Sequence, residues 1–112
     1  KKRTMNTTLK TIRLGEIASE ARDYIDQVPA LDPSDSTKPQ IVEQVGGKLC
    51  IVDGFHRTAG QLRWCDENGV SPDECNVTVV VADDADLISA AAEPGEGQEA
   101  AIAALYDQAG VQ

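Results

Sequence analysis

The chain has 112 residues, enough for one domain with a single modest core and too few for two independent domains. Its hydrophobic content of 41% and charged content of 26% are ordinary for a globular protein and exclude wholesale disorder. The formal net charge of −9 argues against a protein that coats nucleic acid with a general basic surface, because neutralisation of phosphates by lysine and arginine dominates such binding.

The charges are unevenly distributed along the chain. All ten lysines and arginines lie at or before Arg63, together with eight acids, whereas residues 64–112 hold eleven acids and no base. A phosphate-binding surface is therefore expected in the first 63 residues.

Cysteine use and hydropathy bear on the compartment. Three cysteines, Cys50, Cys65 and Cys75, leave one thiol unpaired in any disulfide scheme, which is more typical of a reducing compartment than of a secreted scaffold. No apolar run reaches membrane-spanning length, so the sequence predicts a cytoplasmic protein with no membrane partner. We expect one domain over residues 1–112, with a frayed N-terminus at 1–7 and a helical C-terminal extension at 93–112.

The first predicted element is a strand over residues 8–14, where apolar and polar side chains alternate. From Glu16 the apolar residues recur at helical spacing until Pro29, which predicts one amphipathic helix. Turn-forming residues over 30–39 then predict a loop.

A hairpin and a helix are predicted next. Two β-prone runs, 40–45 and 48–52, flank Gly46-Gly47, a pattern typical of a tight hairpin. Apolar residues from Phe55 to about residue 67 then return at helical spacing, and Asn68-Gly69 closes that helix. A loop over 70–75 follows.

The last third of the chain completes the predicted fold. Val-rich residues 76–82 predict a central strand, because apolar residues fall on both of its faces. Helices are predicted over about 85–92 and over 98–109, the second with an apolar stripe that is expected to pack against the domain. The element order favours an α+β fold, a small mixed β-sheet with packed helices.

The sharpest chemical signal lies where the second hairpin strand meets the following helix, at residues 53–57 (Asp-Gly-Phe-His-Arg). A helix N-terminus carries unpaired N–H groups and a partial positive charge, so His56 and Arg57 there cost a few tenths to about 1 kcal/mol each when charged. A bound anion would remove that cost. Gly54 would let the backbone approach the anion, and the N–H groups of Phe55, His56 and Arg57 could bind it.

The same helix face holds His56, Gly60 and Arg63 at positions i, i+4 and i+7. Gly60 costs roughly 1 kcal/mol relative to alanine, which is expected if a ligand or another backbone lies against this face. Each of these residues also has a simpler structural explanation. Asp53 is more often an N-cap than a catalytic group, a His-Arg pair in a helix is usually solvated, and Gly60 could permit close helix–sheet packing.

Two segments carry a resemblance to a known family. Residues 38–42 (Lys-Pro-Gln-Ile-Val) and, after a hairpin, 51–59 (Ile-Val-Asp-Gly-Phe-His-Arg-Thr-Ala) resemble the ParB/sulfiredoxin superfamily, whose members share a Pro-x-x-Val strand and a Gly-x-His-Arg strand-to-helix turn. The resemblance covers about residues 8–92, and its specific part about 38–60. It implies a ParB/sulfiredoxin-like α+β fold in which His56 and Arg57 bind nucleotide phosphates.

The turn is most similar to the branch of the superfamily that includes free-serine kinases and other phosphotransfer or nucleotide-hydrolysing relatives. Sulfiredoxins carry cysteine where this chain has Phe55, so sulfiredoxin activity is not expected, because Phe55 offers no thiolate. Partition proteins of the superfamily carry an arginine-rich turn and a separate helix-turn-helix domain, which this sequence does not show.

The resemblance implies two alternative functions. The first is phosphoryl transfer or nucleotide hydrolysis with ATP, ADP or CTP and Mg²⁺, with the base left open between Asp53, Glu16 and Glu20. The second is a plasmid- or phage-type ParB-like regulator or nuclease that binds DNA or a protein partner without phosphotransfer. Separately, an exposed apolar stripe on the last helix would suggest a homodimer. For the first, the catalytic candidates are Asp53, His56 and Arg57, Asp53 is also the metal ligand, and the nucleotide- or phosphate-binding candidates are Lys38, Gly54, Phe55, His56, Arg57, Thr58 and Arg63.

Overall fold

A four-stranded mixed sheet organises the computed structural model, which describes residues 6–35 and 38–111. Its strands are β1 (Thr8–Arg13), β2 (Gln40–Val45), β3 (Lys48–Asp53) and β4 (Asn76–Ala82). They lie in the order β1-β4-β2-β3. β4 pairs antiparallel with β1 and parallel with β2, while β2 and β3 form the predicted antiparallel hairpin.

β4 is a central strand, as the sequence predicts, and its two faces bury different side chains. Val77 and Val79 belong to one hydrophobic core, whereas Val80 and Ala82 belong to a second core on the opposite face. This alternation follows from the strand period of two residues. A sheet covered on both faces explains why β4 is continuously apolar from Val79 to Ala82.

Three helices cover the sheet: α1 (Phe55–Asn68), α2 (Ala85–Ala92) and α3 (Gln98–Gln108). Leu62 of α1 lies in the first core, and Leu105 of α3 lies in the second. The C-terminal apolar stripe therefore packs against the sheet, and the α+β fold class is confirmed. Within the described residues, no helix combines the length and apolar character needed to cross a bilayer.

The helix predicted from Glu16 to Pro29 is wrong. The chain instead forms two 3₁₀ segments, Leu14–Glu16 and Arg22–Gln27. Backbone hydrogen bonds join residues three apart, from Ala21 N to Ala18 O at 3.1 Å and from Tyr24 N to Ala21 O at 3.0 Å. A 3₁₀ turn places residues i and i+3 on one side, so residues 18, 21 and 24 face the core at a period of three.

Smaller differences lie in the connecting segments. The predicted loop over 70–75 contains a 3₁₀ turn, Pro72–Glu74. The frayed N-terminus predicted at 1–7 lies partly outside the described residues, but Asn6 N donates to the Asp83 carboxylate and Asp83 N donates to the Thr7 hydroxyl. Asn6 and Thr7 are thereby held against the end of β4. The predicted loop over 30–39 falls outside the described residues only at 36 and 37.

Candidate functional site

The turn between β3 and α1 is built around Gly54. This residue is the N-cap of α1, with φ 110° and ψ 25°, and no side chain caps the helix. The N-cap interpretation of Asp53 is therefore wrong, because Asp53 is the last residue of β3 and Gly54 takes the cap position. The first turn of α1 contains no acidic residue. The positive end of the helix thus lacks the carboxylate that usually balances it.

Glycine is required at position 54 for two reasons. A φ of 110° is strained for any residue with a side chain, and a Cβ placed there would lie 2.9 Å from Gln40 Cγ and 3.3 Å from Arg57 Nη1. Gln40 and Arg57 therefore close over the turn from two sides. The glycine serves close packing of these side chains at the turn, in addition to any approach of a ligand.

A buried polar cluster supports the turn from beneath. The Gln40 amide nitrogen donates to the Thr58 hydroxyl at 3.2 Å and to the Gln61 side-chain oxygen at 2.7 Å. Thr58 in turn donates to the Gly54 carbonyl at 2.9 Å. Thr58 is fully buried, so it holds the turn in place instead of facing a ligand. Gln40 is not among the residues predicted from the sequence, although an amide directly before two apolar strand residues indicates a buried polar group.

A pocket of about 360 Å³ opens at the turn. The first helical N–H bonded within α1 is that of Thr58, which donates to the Gly54 carbonyl at 2.9 Å. The N–H groups of Phe55, His56 and Arg57 precede it and have no partner within the helix. The pocket is lined by Tyr24, Asp53, Gly54, Phe55, His56 and Arg57.

Arg57 lies half-buried at the pocket, and its Nη1 donates to the Pro39 carbonyl at 3.1 Å. In residues 6–35 and 38–111, no carboxylate forms an ion pair with this guanidinium. A guanidinium has five N–H donors, and its neutral neighbours, the Pro39 carbonyl and the Tyr106 hydroxyl, do not neutralise its charge. Arg57 is the cationic group that an anion in this pocket would meet.

The position of Arg57 depends on Tyr106 of α3. The Tyr106 hydroxyl donates to the same Pro39 carbonyl at 2.8 Å. Burial raises the pKa of Tyr106, while nearby Arg57 acts in the opposite direction, so the phenol keeps its proton as the donor. Lys38, another predicted phosphate ligand, is exposed and places its Nζ 5.1 Å from the Tyr106 ring centroid. Lys38 and Arg57 thus both lie near Tyr106.

His56 is exposed at the mouth of the pocket, and Tyr24 orients it. The two rings meet edge to face with centroids 5.2 Å apart, and the Tyr24 and Phe55 rings are 5.9 Å apart. Tyr24 comes from the second 3₁₀ segment, 30 positions before Gly54 in the chain. The sequence pattern places Tyr24 only on a helix face, so its position at the site is not predictable from the sequence.

Arg63 and Gly60 contact the loop before β2 rather than the pocket. Arg63 Nη1 donates to the Val28 carbonyl at 2.8 Å, and its Nε pairs with Glu67 at 3.0 Å. A Cβ at Gly60 would lie 2.9 Å from the Pro29 carbonyl oxygen, and Leu31 N donates to the Gly60 carbonyl at 2.9 Å. The backbone of the preceding loop, rather than the sheet or a ligand, lies against this helix face, and Arg63 binds that loop.

A metal at this site would have one protein carboxylate, that of Asp53. The described residues contain no group of three or more histidine, cysteine, aspartate or glutamate side chains that could hold an ion. One carboxylate fits a Mg²⁺ ion that arrives with phosphate oxygens and water, because Mg²⁺ is usually bound in that way. It does not fit a metal held by the protein alone.

Comparisons of the chain with protein-family models, with curated proteins and with solved structures found no match. The ParB/sulfiredoxin resemblance stays a prediction from the two motifs. Support for a function of this domain therefore comes from the geometry and charge of the turn.

Proposed function

We propose that this domain binds the phosphate groups of a nucleotide at the turn between β3 and α1. The observation that carries the proposal is the guanidinium of Arg57, which has no carboxylate partner among the described residues and lies at the same pocket as the N–H groups that begin α1. Backbone N–H groups and the helix dipole favour a bound anion at such a terminus. A guanidinium adds charge-assisted hydrogen bonds to phosphate oxygens.

The pocket offers more hydrogen-bond donors than the two oxygens of a carboxylate can use, which favours a phosphate. Arginine forms bidentate hydrogen bonds with phosphate, and the three consecutive N–H groups of residues 55–57 offer further donors to the remaining oxygens. Tyr24 adds an aromatic edge beside His56 at the open side of the pocket. The volume of about 360 Å³ is in the range of small-ligand sites.

Phosphoryl transfer or nucleotide hydrolysis is the chemistry that these residues suit. His56 and Arg57 would stabilise the charge on a transferring phosphoryl group through hydrogen bonds and Coulomb attraction. Asp53 would hold a Mg²⁺ ion carried in by the nucleotide, and that ion would neutralise phosphate charge. The carboxylate of Asp53 otherwise repels an anion, so binding is expected to be tighter with Mg²⁺ than without it.

Isothermal titration with ATP, ADP, CTP and inorganic pyrophosphate, each with and without Mg²⁺, tests the proposal. Two arginines of the same helix give a matched pair of variants. Arg57→Ala removes a charge at the pocket, while Arg63→Ala removes the same charge where it contacts Val28 and Glu67. We expect Arg57→Ala to weaken binding roughly tenfold to a hundredfold, the usual effect of losing a hydrogen bond to a charged group.

Arg63→Ala should leave the affinity close to that of the unaltered chain. Equal losses in the two variants would contradict the proposed site, as would the absence of binding to all four ligands. Binding to duplex DNA alone, weakening steeply as salt is raised, would instead favour the regulator or nuclease alternative.

A further inference from the structure

Two cysteine thiols meet on the side of the domain where α1 ends. Cys65 lies in the last part of α1, and Cys75 follows the 3₁₀ turn Pro72–Glu74, directly before β4. Their sulfur atoms are 3.6 Å apart, and both cysteines are free. The contact is tertiary, because ten positions separate the two residues along the chain. A disulfide bond of about 2.05 Å would need a further approach of about 1.5 Å.

The two thiols differ in their access to solvent. Cys65 is fully buried, and burial, followed by the contact with Cys75, raises the pKa of its thiol to about 12. Cys75 is partly exposed and lines a pocket of about 240 Å³ beside Trp64 and Val70. A small solute can therefore reach Cys75 from this pocket, whereas Cys65 is buried and does not line it.

The backbone around Cys75 holds it at this position without enclosing it. Its N–H donates to Pro72 O at 3.2 Å, and its carbonyl accepts from Leu14 N at 2.8 Å. Cys75 precedes the first residue of β4, so rotation of its side chain toward Cys65 leaves the strand pairing of β4 intact. The pair is thus held in contact, with one sulfur open to solvent and the other beneath it.

We propose that Cys75 and Cys65 form a peroxide-reactive dithiol, in which Cys75 reacts with a hydroperoxide and Cys65 resolves the product to a disulfide. In the first step the Cys75 thiolate attacks one peroxide oxygen. An S–O bond forms, the O–O bond breaks, and the other oxygen takes a proton and leaves as an alcohol, or as water from hydrogen peroxide.

In the second step the Cys65 sulfur attacks the Cys75 sulfenic acid. The S–S bond forms, the S–O bond breaks, and the hydroxyl group leaves as water with the proton of Cys65. The two thiols together lose two electrons, which the peroxide gains. The disulfide would link the end of α1 to the start of β4 and can be reversed by an external thiol.

The experiment treats the reduced full chain with hydrogen peroxide, blocks the remaining thiols with iodoacetamide and maps the cysteine peptides by mass spectrometry. We expect a Cys65–Cys75 disulfide and an alkylated Cys50, which is half-buried like Cys75 but has no thiol neighbour in the described residues. Fluorescence of Trp64, the chain's one tryptophan, should change with the same time course because it lines the pocket with Cys75.

Two variants separate the roles of the sulfurs. In Cys75→Ser, Cys65 should remain an unmodified thiol, because it is buried and no sulfenic acid forms beside it. In Cys65→Ala, Cys75 should stop at the sulfenic acid, which dimedone traps. If the buried Cys65→Ala substitution prevents folding, the unaltered chain and Cys75→Ser still decide the matter. Oxidation of Cys65 in Cys75→Ser, disulfides that mainly involve Cys50, or three unmodified thiols in the unaltered chain would overturn the proposal.

Discussion

Arg57 and Tyr106 hydrogen-bond to the same acceptor, the backbone carbonyl of Pro39, at 3.1 and 2.8 Å. One donor comes from the start of α1 and the other from α3, so three distant parts of the chain meet at one oxygen. The C-terminal helix is thereby connected to the proposed phosphate site. Tyr106 fixes the carbonyl that Arg57 uses as its anchor.

Tyr106→Phe tests this connection. The substitution removes the hydroxyl and keeps the ring that Lys38 contacts. Since the lost bond is one neutral hydrogen bond to the anchor of Arg57, we expect nucleotide affinity to fall roughly twofold to tenfold. In a double-mutant cycle, Tyr106→Phe should lower the affinity of the Arg57→Ala variant only slightly further. Fully additive losses would show that Tyr106 does not act through Arg57.

Gly54→Ala should destabilise the domain more than Gly46→Ala. Both glycines have positive φ, 110° and 63°, but a Cβ at Gly46 meets nothing within 4 Å, whereas one at Gly54 meets Gln40 at 2.9 Å. The strained backbone conformation alone costs about 1 to 3 kcal/mol, and the contact with Gln40 adds to it at position 54 only. Urea denaturation measures both. Equal costs at the two positions would mean that Gln40 yields freely.

Gln40→Ala should cost about 1 to 3 kcal/mol of unfolding free energy, because the buried Gln61 oxygen loses its partner. The control is the double variant Gln40→Leu with Gln61→Leu, in which neither polar partner is left unpaired. It should recover part of the loss, since removing both members of a buried pair is less costly than removing one. If the double variant loses as much unfolding free energy as Gln40→Ala and Gln61→Leu lose together, this account is contradicted.

The thiol of Cys65 predicts a loss of stability in alkali. Its pKa is raised from 9.0 to about 12 in the folded chain, chiefly by burial. As the pH rises, the unfolded chain therefore loses this proton before the folded chain does. The stability that the protonated thiol contributes is complete below about pH 9.0 and is lost as the pH rises toward about 12. Denaturation across this range should give a steeper fall for the unaltered chain than for Cys65→Ala. Equal slopes would contradict the assignment.

The sequence predicts the sheet better than the segment between β1 and β2. β4 carries valines on both faces, and only a strand covered on both sides suits that pattern. Between Glu16 and Pro29 the apolar residues fit a period of three as well as one of 3.6, so the pattern does not distinguish a 3₁₀ turn from an α-helix. In the folded chain Ala18 and Ala21 pack in the core, and the segment forms 3₁₀ turns.

The candidate site was predictable where its residues are contiguous and hidden where they are not. His56 and Arg57 stand out because bases are disfavoured at a helix start. Tyr24 and Tyr106 join the site through tertiary packing, which no local pattern encodes. Arg63 shares the helix with Arg57, but the preceding loop takes its guanidinium through the Val28 carbonyl.

The most direct test of the phosphate site is a nitrogen-15 NMR titration of the full chain with ATP and Mg²⁺. We expect the largest shifts at the amides of Phe55, His56 and Arg57, whose N–H groups begin α1. Those shifts should be strongly reduced in Arg57→Ala and retained in Arg63→Ala. Shifts centred elsewhere, or no shifts at saturating nucleotide, would contradict the proposal that this turn binds phosphate.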